Sequence, residues 1–294
     1  MKRIILILFL CWHSYHILMA QTDLRYLGQR LPSETPQVFA PGIISKQHQS
    51  EFGSIFSNDG SEFFFGVDVD GKAEIRYSKL ENNTWSTPVT LIGHESYSFN
   101  DPMLSPDQQR LYYISDRPKH GVGKSDYDIW YSKRLPNGWS DPINAGKNIN
   151  SSKNEYYISF TSDGTMYYAS NKNSDQQRHF DYDIYASRQI AGEFQESTRL
   201  GKQINTPNYE ADVFIAPDES YIIFCADRAD GYGRGDLYIS FRQDNGAWTE
   251  SENLKTPVNS ENHELCPWVT DDGKYFFYTS NQDIYWVSTK IFKR

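Results

Sequence analysis

The sequence of 294 residues has few cysteines and lacks the short motifs that mark common catalytic and metal sites. Only Cys11, Cys225 and Cys266 are present, so no dense disulfide framework holds the fold together. No Gly-x-Ser-x-Gly, His-Glu-x-x-His or Cys-x-x-Cys motif occurs, which argues against a nucleophile elbow and against the familiar zinc sites. Basic residues are too dispersed to follow a phosphate backbone, so nucleic acid is not an expected partner.

The apolar segments of the chain are short except at its N-terminus. Lys2 and Arg3 precede an apolar run, and a second apolar patch ends at Ala20, which together predict an export signal over residues 1–20. No later segment is long and apolar enough to predict a membrane span. We therefore expect a periplasmic or extracellular protein that is monomeric.

Two consequences follow from removal of such a signal. The formal charge changes from −9 to −9 − 2 = −11, because two basic residues and no acidic ones are lost. The remaining Cys225 and Cys266 fall on strands of adjacent repeats, where they would be either bridged or, as we favour, two small buried thiols. A lipoprotein anchored through Cys11 is the alternative, which we do not favour because Leu10 is large for the residue before a lipidated cysteine.

A short phrase occurs five times: an apolar strand, a turn centred on aspartate, an aromatic-rich strand, a loop, and a strand that begins Asp-Ile-Tyr or similar. The turn aspartates are spaced by 48, 56, 55 and 54 residues, and they are Asp59, Asp107, Asp163, Asp218 and Asp272. Self-similarity at this period predicts a radial or solenoidal repeat. Asp, Pro and Gly at these positions are turn formers first, so we do not expect the turn aspartates to be catalytic.

Each repeat contains about four strand-length stretches and no helical periodicity of useful length. Four antiparallel strands per repeat predict an all-β fold, a five-bladed β-propeller of four-stranded blades; six blades with one degenerate is the alternative. An aromatic residue opens the fourth strand of four repeats, at Trp85, Trp139, Phe194 and Trp248. We expect most aromatic side chains to fill the wedges between blades and not to form a carbohydrate platform.

The strand, the Ser/Ala-Pro-Asp-Gly turn and the Asp-Ile-Tyr-x-Ser strand resemble the TolB-like, WD-like propeller repeat of bacterial envelope proteins. The loops Asp116 to Asp128 and Asp227 to Asp236 are similar to those of the Bacteroidetes branch. The resemblance covers nearly all of the chain after residue 20. It implies a propeller fold and a place in the cell envelope, but the family includes scaffolds, receptors and a few enzymes, so it does not identify the function.

The way the ring closes is predicted from the two ends of the chain. The fifth repeat ends after its third strand, whereas Leu27-Gly28-Gln29-Arg30-Leu31 matches the end of a fourth strand, Leu200 to Ile204. We therefore expect Leu24 to Leu31 to be the outer strand of the last blade, which closes the propeller and removes an exposed sheet edge. The propeller is then one domain over residues 21–294.

One carboxylate precedes or opens the first strand of each repeat, and we call these residues the carboxylate set: Glu51, Asp101, Glu155, Glu210 and Glu264. We expect them to ring one mouth of the central channel. Either they accept hydrogen bonds within the fold, which their repetition favours, or they bind a ligand such as a polyol or Ca²⁺, because converging hard oxygens suit that ion. No cofactor is required on the first interpretation, and Ca²⁺ is an untested candidate on the second.

The loops expected on the same face carry basic residues that differ between repeats, among them Arg117, Arg178 and Arg228. They would bind a carboxylated or peptidic ligand, or else hold their own loops to Asp126 and Asp236. The sequence as a whole favours a binding or assembly module of the cell envelope, with an envelope protein, glycan or peptide as partner. A carbohydrate-active enzyme, a glycoside hydrolase or polysaccharide lyase with its site at the channel mouth, is the alternative function.

Overall fold

The computed structural model describes residues 22–120, 123, 125–174 and 181–292, and these form a five-bladed β-propeller of antiparallel sheets. No sixth blade occurs in these ranges. The predicted signal segment, Cys11, Arg178 and part of the loop after Arg117 lie outside the described residues.

The chain first forms a small hairpin outside the blades and then builds blade 1. The hairpin consists of β1 (Thr22–Asp23), a single 3₁₀ turn (Leu24–Tyr26) and β2 (Gln29–Arg30). A short strand, β3 (Gln37–Val38), follows. Blade 1 contains β4 (Ser50–Phe56), β5 (Glu62–Val69), β6 (Lys72–Glu81), β7 (Thr84–Trp85) and β8 (Val89–Ile92).

Blades 2 and 3 repeat this pattern, with the outer part of each blade again divided into short strands. Blade 2 contains β9 (Phe99–Leu104), β10 (Arg110–Ser115), β11 (Asp128–Leu135), β12 (Gly138–Trp139) and β13 (Ile143–Asn144). Blade 3 contains β14 (Glu155–Phe160), β15 (Met166–Ser170), β16 (Asp183–Ser187), β17 (Gln189–Ile190), β18 (Glu193–Phe194) and β19 (Thr198–Arg199).

Blades 4 and 5 complete the ring. Blade 4 contains β20 (Glu210–Ile215), β21 (Tyr221–Ala226), β22 (Asp236–Phe241) and β23 (Glu252–Asn253). Blade 5 contains β24 (Leu265–Val269), β25 (Tyr275–Ser280) and β26 (Asp283–Ser288), and a 3₁₀ turn (Thr289–Ile291) follows. Cys225 and Cys266 are both buried free thiols.

An N-terminal strand does close the propeller, but it is not the predicted segment. The outer strand of blade 5 is β3, in which Val38 pairs with Tyr285. The prediction of Leu24 to Leu31 was wrong because Leu27 and Gly28 both have positive φ, 53° and 66°, so the backbone turns there and cannot continue as a strand.

Phe39, directly after β3, explains why that segment closes the ring. Its N–H donates to the carbonyl of Ile284 at 2.7 Å, as that of Leu200 does to Ile184 in blade 3. Its fully buried ring lies 5.1 Å from the ring of Phe277 in blade 5 and 5.3 Å from that of Phe63 in blade 1. Phe39 therefore fills the wedge between the last and first blades, although it takes the position of Leu200 and not that of the aromatic residues predicted to open the fourth strand.

Two repeated hydrogen-bond patterns connect each blade to the next. Asn150, Asn205 and Asn259 are buried, and each side chain both accepts from the N–H and donates to the C=O of one residue in the preceding third strand. In addition, the first strand of one blade is tied to the loop before the third strand of the previous blade. The bond from the Glu51 N–H to the Gln282 carbonyl, at 2.9 Å, makes this tie between blades 1 and 5 and so closes the ring.

Candidate functional site

The glutamates of the carboxylate set lie where one blade connects to the next, and three of them hold tight turns. Glu155 accepts hydrogen bonds from the N–H and hydroxyl of Ser151, at 3.1 and 2.7 Å, and from the Ser170 hydroxyl at 2.8 Å. Glu210 is held in the same way by Thr206, and Glu264 by Ser260 and Ser280. Glu51 accepts a longer bond from the Lys46 N–H, at 3.3 Å.

All four glutamate side chains are fully buried, and burial sets their electrostatics. Desolvation raises the pKa of Glu51 to about 7 and that of Glu155 to about 7, and it also raises the pKa of Glu210. The hydrogen bonds at Glu155 and Glu210 oppose this by favouring the charged form. These contacts place the glutamates within the fold, as the structural interpretation of the carboxylate set expects.

Asp101 occupies a different position from the four glutamates. Each innermost strand has an irregularity in its pairing, at which one residue adopts φ between 43° and 55°: Gly53, Asp101, Tyr157, Asp212 and Cys266. These residues are spaced by 48, 56, 55 and 54 positions, as the turn aspartates are, whereas the carboxylate set is spaced by 50, 54, 55 and 54. The spacing is therefore the signal that separates Asp101 from the glutamates.

These five bulge residues close the central channel, and we call them the channel plug. The Tyr157 hydroxyl donates to the Pro267 carbonyl at 3.1 Å, and the Cys266 thiol lies 3.7 Å from a carboxyl oxygen of Asp101. Blades 3 and 5, and blades 5 and 2, are not neighbours, so these contacts cross the channel. Gly53 is required beside Asp101, because a Cβ there would lie 2.8 Å from the same oxygen.

Two carboxyl groups are part of the channel plug. Asp101 is 8% exposed, whereas Asp212 is partly exposed. Burial, followed by the charge of Asp212, raises the pKa of Asp101 to about 8, and burial raises the pKa of Asp212 to about 6. Such groups hold protons at neutral pH more readily than ordinary aspartates do.

The predicted basic loops lie partly within the fold. Arg228 donates to the Ile204 carbonyl at 2.9 Å and reaches Glu210 at 3.4 Å, and its guanidinium lies 4.6 Å from the Tyr238 ring centre. Arg117 lies 4.8 Å from the ring centre of Trp130 in the equivalent position of blade 2. Stacking on the aromatic residue of the third strand is therefore one role of both arginines.

The carboxylates named as alternative partners of those arginines have other contacts. Asp236 accepts from the N–H groups of Tyr232 and Gly233, at 2.7 and 3.1 Å, and so holds its own loop. Asp126 accepts from the Ser125 hydroxyl. Arg228 is thus bound to Glu210, a member of the carboxylate set, and not to Asp236.

The sequence did not indicate a group of aromatic residues near the channel on the face of these loops. Neighbouring rings lie 5.2 to 6.4 Å apart between centres, in the order Tyr127, Tyr156, Tyr182, Tyr209 and His263. Burial raises the pKa of the Tyr209 hydroxyl, with a further contribution from the charge of Asp212. A sequence pattern could have identified this group, since each of its residues is adjacent to a Glu or Asp at or just before the start of a strand.

A cavity lies at the other mouth of the channel, on the face formed by the aspartate turns. It has a volume of about 470 Å³, and all five blades contribute to it. Its floor includes the apolar residues Ile55, Met103, Phe214 and Trp268 and the polar residue Ser159, each two residues beyond a plug residue. Its rim is polar and includes Asn58, Gln108, Ser162 and Asp271. We call this cavity the turn-face bowl.

The turn-face bowl has the size of a ligand pocket, and polar and apolar groups contribute to its lining in about equal measure. The sequence predicted a site on the opposite face. Among the residues that the structure describes, no group of three or more His, Cys, Asp and Glu could hold a metal ion, and no helix is long and apolar enough to cross a membrane.

No protein-family model matches the chain, and no curated protein matches it in sequence. TolB from Acinetobacter baumannii is similar in structure to 84% of this chain, with a TM-score of 0.52 and 10% identity. This chain spans 56% of the length of that TolB.

Two further solved structures are similar at comparable identity. The protein BT0996, solved as an RGII complex, has a TM-score of 0.57 and 11% identity, over 90% of this chain and 94% of that protein. A thermostable family-43 glycoside hydrolase has a TM-score of 0.53 and 13% identity, over 81% of this chain and 88% of the hydrolase. At these identities the comparisons show a shared β-propeller fold.

Proposed function

We propose that this chain is an exported binding or assembly module of the cell envelope, and that its ligand occupies the turn-face bowl. The turn-face bowl itself carries the proposal, because a recess of about 470 Å³ lined by both apolar and polar groups offers a ligand apolar contacts together with hydrogen-bond partners. The channel plug lies directly beneath it and provides a rigid floor. A closed ring of blades also keeps the rim residues at fixed distances from one another.

The contacts of the carboxylate set support binding over catalysis. A general acid or nucleophile must reach its substrate, whereas Glu155, Glu210 and Glu264 are fully buried and hydrogen-bonded within blade connections. The similar solved structures do not decide between the functions, because they include both TolB and a glycoside hydrolase. Loops on the opposite face, including those of Arg117 and Arg228, are a second surface for a protein partner in this proposal, and Arg178 is kept as a candidate from the sequence alone.

Two parts of the proposal rest on sequence alone. Export depends on residues 1–20, and assignment to the Bacteroidetes-type branch depends on the loops Asp116 to Asp128 and Asp227 to Asp236. Ca²⁺ at the carboxylate set is also kept as a sequence-based candidate. Addition of Ca²⁺ or a chelator to the purified chain, followed by thermal unfolding, tests it directly.

One observation favours the alternative function, a carbohydrate-active enzyme. Asp101 and Asp212 are two carboxyl groups with raised pKa values in the channel, and pairs of carboxyl groups perform glycoside hydrolysis. Their position within the channel plug, with Asp101 only 8% exposed, argues against access by a sugar chain. Turnover of a polysaccharide that disappears in Asp101→Asn would establish the enzyme.

A binding experiment tests the proposed function. Panels of oligosaccharide fragments and of short peptides are titrated into the chain starting at Gln21, with binding measured by calorimetry and products followed by mass. Asp271→Trp places a large side chain at the rim of the turn-face bowl, and Asp244→Trp is the matched control on an exposed hairpin of the same face. We expect at least one panel to contain ligands whose affinity falls tenfold or more with Asp271→Trp and is unchanged with Asp244→Trp. Ligands that bind equally well to both variants would place the site elsewhere.

A further inference from the structure

The turn-face bowl continues outward between blades 2 and 3. A second cavity of about 200 Å³ adjoins it and shares Ser105, Pro106, Phe160 and Ser162 with it. A third cavity, of about 300 Å³, meets the second at Arg110 and reaches the outer side of the blades. The two outer cavities form what we call the blade groove. The turn-face bowl and the blade groove make one path from the channel axis to the edge of the molecule.

Arg110 is placed where the two parts of the blade groove meet. One of its terminal nitrogens donates to the Tyr112 hydroxyl at 3.2 Å, and its guanidinium lies 5.2 Å from the ring centre of Tyr131. No ion pair of Arg110 occurs within the ranges that the structure describes. The charge of Asp107, which lines the same cavity, acts on Arg110 without an ion pair, so the stacked guanidinium retains N–H donors for an anionic group.

The residue type at this position varies between the blades and is a cation in blade 2 alone. The first residue of the second strand is Arg110 in blade 2, whereas the other blades have Glu62, Met166, Tyr221 and Tyr275. A binding site on a symmetric ring requires such a difference between blades. The cation therefore distinguishes the interface between blades 2 and 3 from the other four.

We propose that the turn-face bowl and the blade groove together bind an extended peptide of a partner protein, with a large apolar side chain in the bowl and a carboxylate group at Arg110. This inference rests on the proposed function, because it takes the bowl as the anchor. Apolar floor residues such as Phe214 and Trp268 would contact a side chain such as Leu or Phe, while polar groups of the rim would pair with the peptide backbone. An extended chain also accounts for a path that continues beyond the bowl, which a single small molecule would leave empty.

The asymmetric charge gives the peptide a direction. Its apolar anchor lies on the channel axis, and its acidic group lies toward the outer edge of blades 2 and 3. A charge-assisted bond between a carboxylate and a guanidinium adds specificity, whereas burial of the apolar side chain supplies most of the affinity.

A phage-displayed library of random linear dodecapeptides, selected on the immobilised chain, tests this inference. We expect enriched sequences to share a large apolar residue and an acidic residue at fixed spacing. A fluorescein-labelled synthetic copy of one enriched sequence is then titrated by fluorescence polarisation against the unchanged chain, Ser162→Trp, Arg110→Gln and the control Asp244→Trp. Ser162 is exposed and lines both the turn-face bowl and the adjoining cavity, so Ser162→Trp blocks the passage between them.

The expected result is a loss of tenfold or more in affinity with Ser162→Trp and about fivefold with Arg110→Gln, with Asp244→Trp unchanged. Replacement of the acidic residue of the peptide by its amide should weaken binding to the unchanged chain but not further weaken binding to Arg110→Gln. This peptide substitution leaves the protein unaltered, so the test does not depend on the folding of a variant.

Two results would overturn the inference, and they separate it from the proposed function. If peptides bind and Asp271→Trp abolishes binding, but Ser162→Trp and Arg110→Gln have no effect, the bowl is a site and the blade groove is not. If no peptide is enriched and only oligosaccharides bind in a manner sensitive to Asp271→Trp, the peptide assignment is wrong and the bowl stands. If no ligand is found whose binding is weakened by Asp271→Trp, both proposals are wrong.

Discussion

Replacement of Asp101 by asparagine tests the electrostatics of the channel plug. Burial and the nearby charge of Asp212 raise the pKa of Asp101 from 3.8 to about 8 in the folded chain. The folded state therefore keeps a proton that the unfolded state has lost, and the free energy of unfolding falls as pH rises from about 4 to about 8. Asparagine has nearly the same shape and cannot ionise, so the variant lacks the part of the pH-dependent fall in unfolding free energy that Asp101 causes.

The magnitude follows from the pKa difference. A change from 3.8 to about 8 is roughly four units, and each unit corresponds to about 1.4 kcal/mol, so the upper limit is about 6 kcal/mol. Entry of water into the channel and relaxation of the channel plug reduce this penalty, so we expect Asp101→Asn to be more stable by about 2–4 kcal/mol at pH 9. Near pH 4 both chains carry a neutral group at this position, and the difference should be small. The thiol of Cys266 can still donate to the asparagine oxygen.

The assay is urea unfolding at pH values from 4 to 9, followed by tryptophan fluorescence, with the free energy of unfolding compared at each pH. Glu51 and Glu155 also have raised pKa values, so the difference between the variant and the unchanged chain isolates Asp101. Asp244→Asn, at an exposed hairpin position, is the control and should give a profile parallel to that of the unchanged chain. A parallel profile for Asp101→Asn as well would refute the placement of Asp101 in a desolvated channel.

Three further substitutions test the fold, each measured by urea unfolding at neutral pH. Asn205→Ala leaves the buried N–H of Ile184 without its acceptor and should cost about 1–3 kcal/mol; no loss would mean that another group replaces the side chain. Phe39→Ala should cost about 3–5 kcal/mol because the ring is fully buried, whereas Leu24→Ala, at a 41% exposed position, should cost less than about 1 kcal/mol; the reverse order would contradict closure through β3. Glu210→Ala should cost about 1–3 kcal/mol and leave ligand affinity unchanged within twofold, unless the carboxylate set is the binding site.

The repeated turns were sufficient to predict the fold. Asp59 and its counterparts are local turn formers, so their spacing reports one blade each without knowledge of tertiary contacts. The closing strand was harder, since the Leu-Gly sequence at Leu27 matches the end of a fourth strand in letters but has a turn conformation. The useful match was at Phe39, whose backbone bond to Ile284 is equivalent to that of Leu200 in blade 3.

The candidate site was less accessible to sequence reasoning. Asp101 and Glu155 are both acids near the start of a first strand. The residue that holds a turn and the bulge residue of the channel plug are only two positions apart in the sequence, as Glu155 and Tyr157 are in blade 3. The turn-face bowl is formed by side chains from all five blades, and its volume depends on how closely the strands approach the axis. No local pattern encodes that distance. The sequence likewise does not show whether Arg228 is exposed or stacked, because that depends on where the Tyr238 ring lies in the fold.

The turn-face bowl contains its own spectroscopic reporter. In the chain from Gln21 onward the only methionines of the sequence are Met103, which lines the bowl, and Met166, which is fully buried in blade 3. Selective ¹³C labelling of the methionine methyl groups therefore gives one signal from the proposed site and one internal control, and Met103→Leu assigns them.

The most direct test of the binding proposal is a titration of this labelled chain with a ligand found in the binding panels or the peptide selection. We predict that the Met103 methyl signal shifts with the same dissociation constant as the binding itself, while the Met166 signal stays in place. A ligand that saturates the chain and leaves the Met103 signal unchanged would contradict the account.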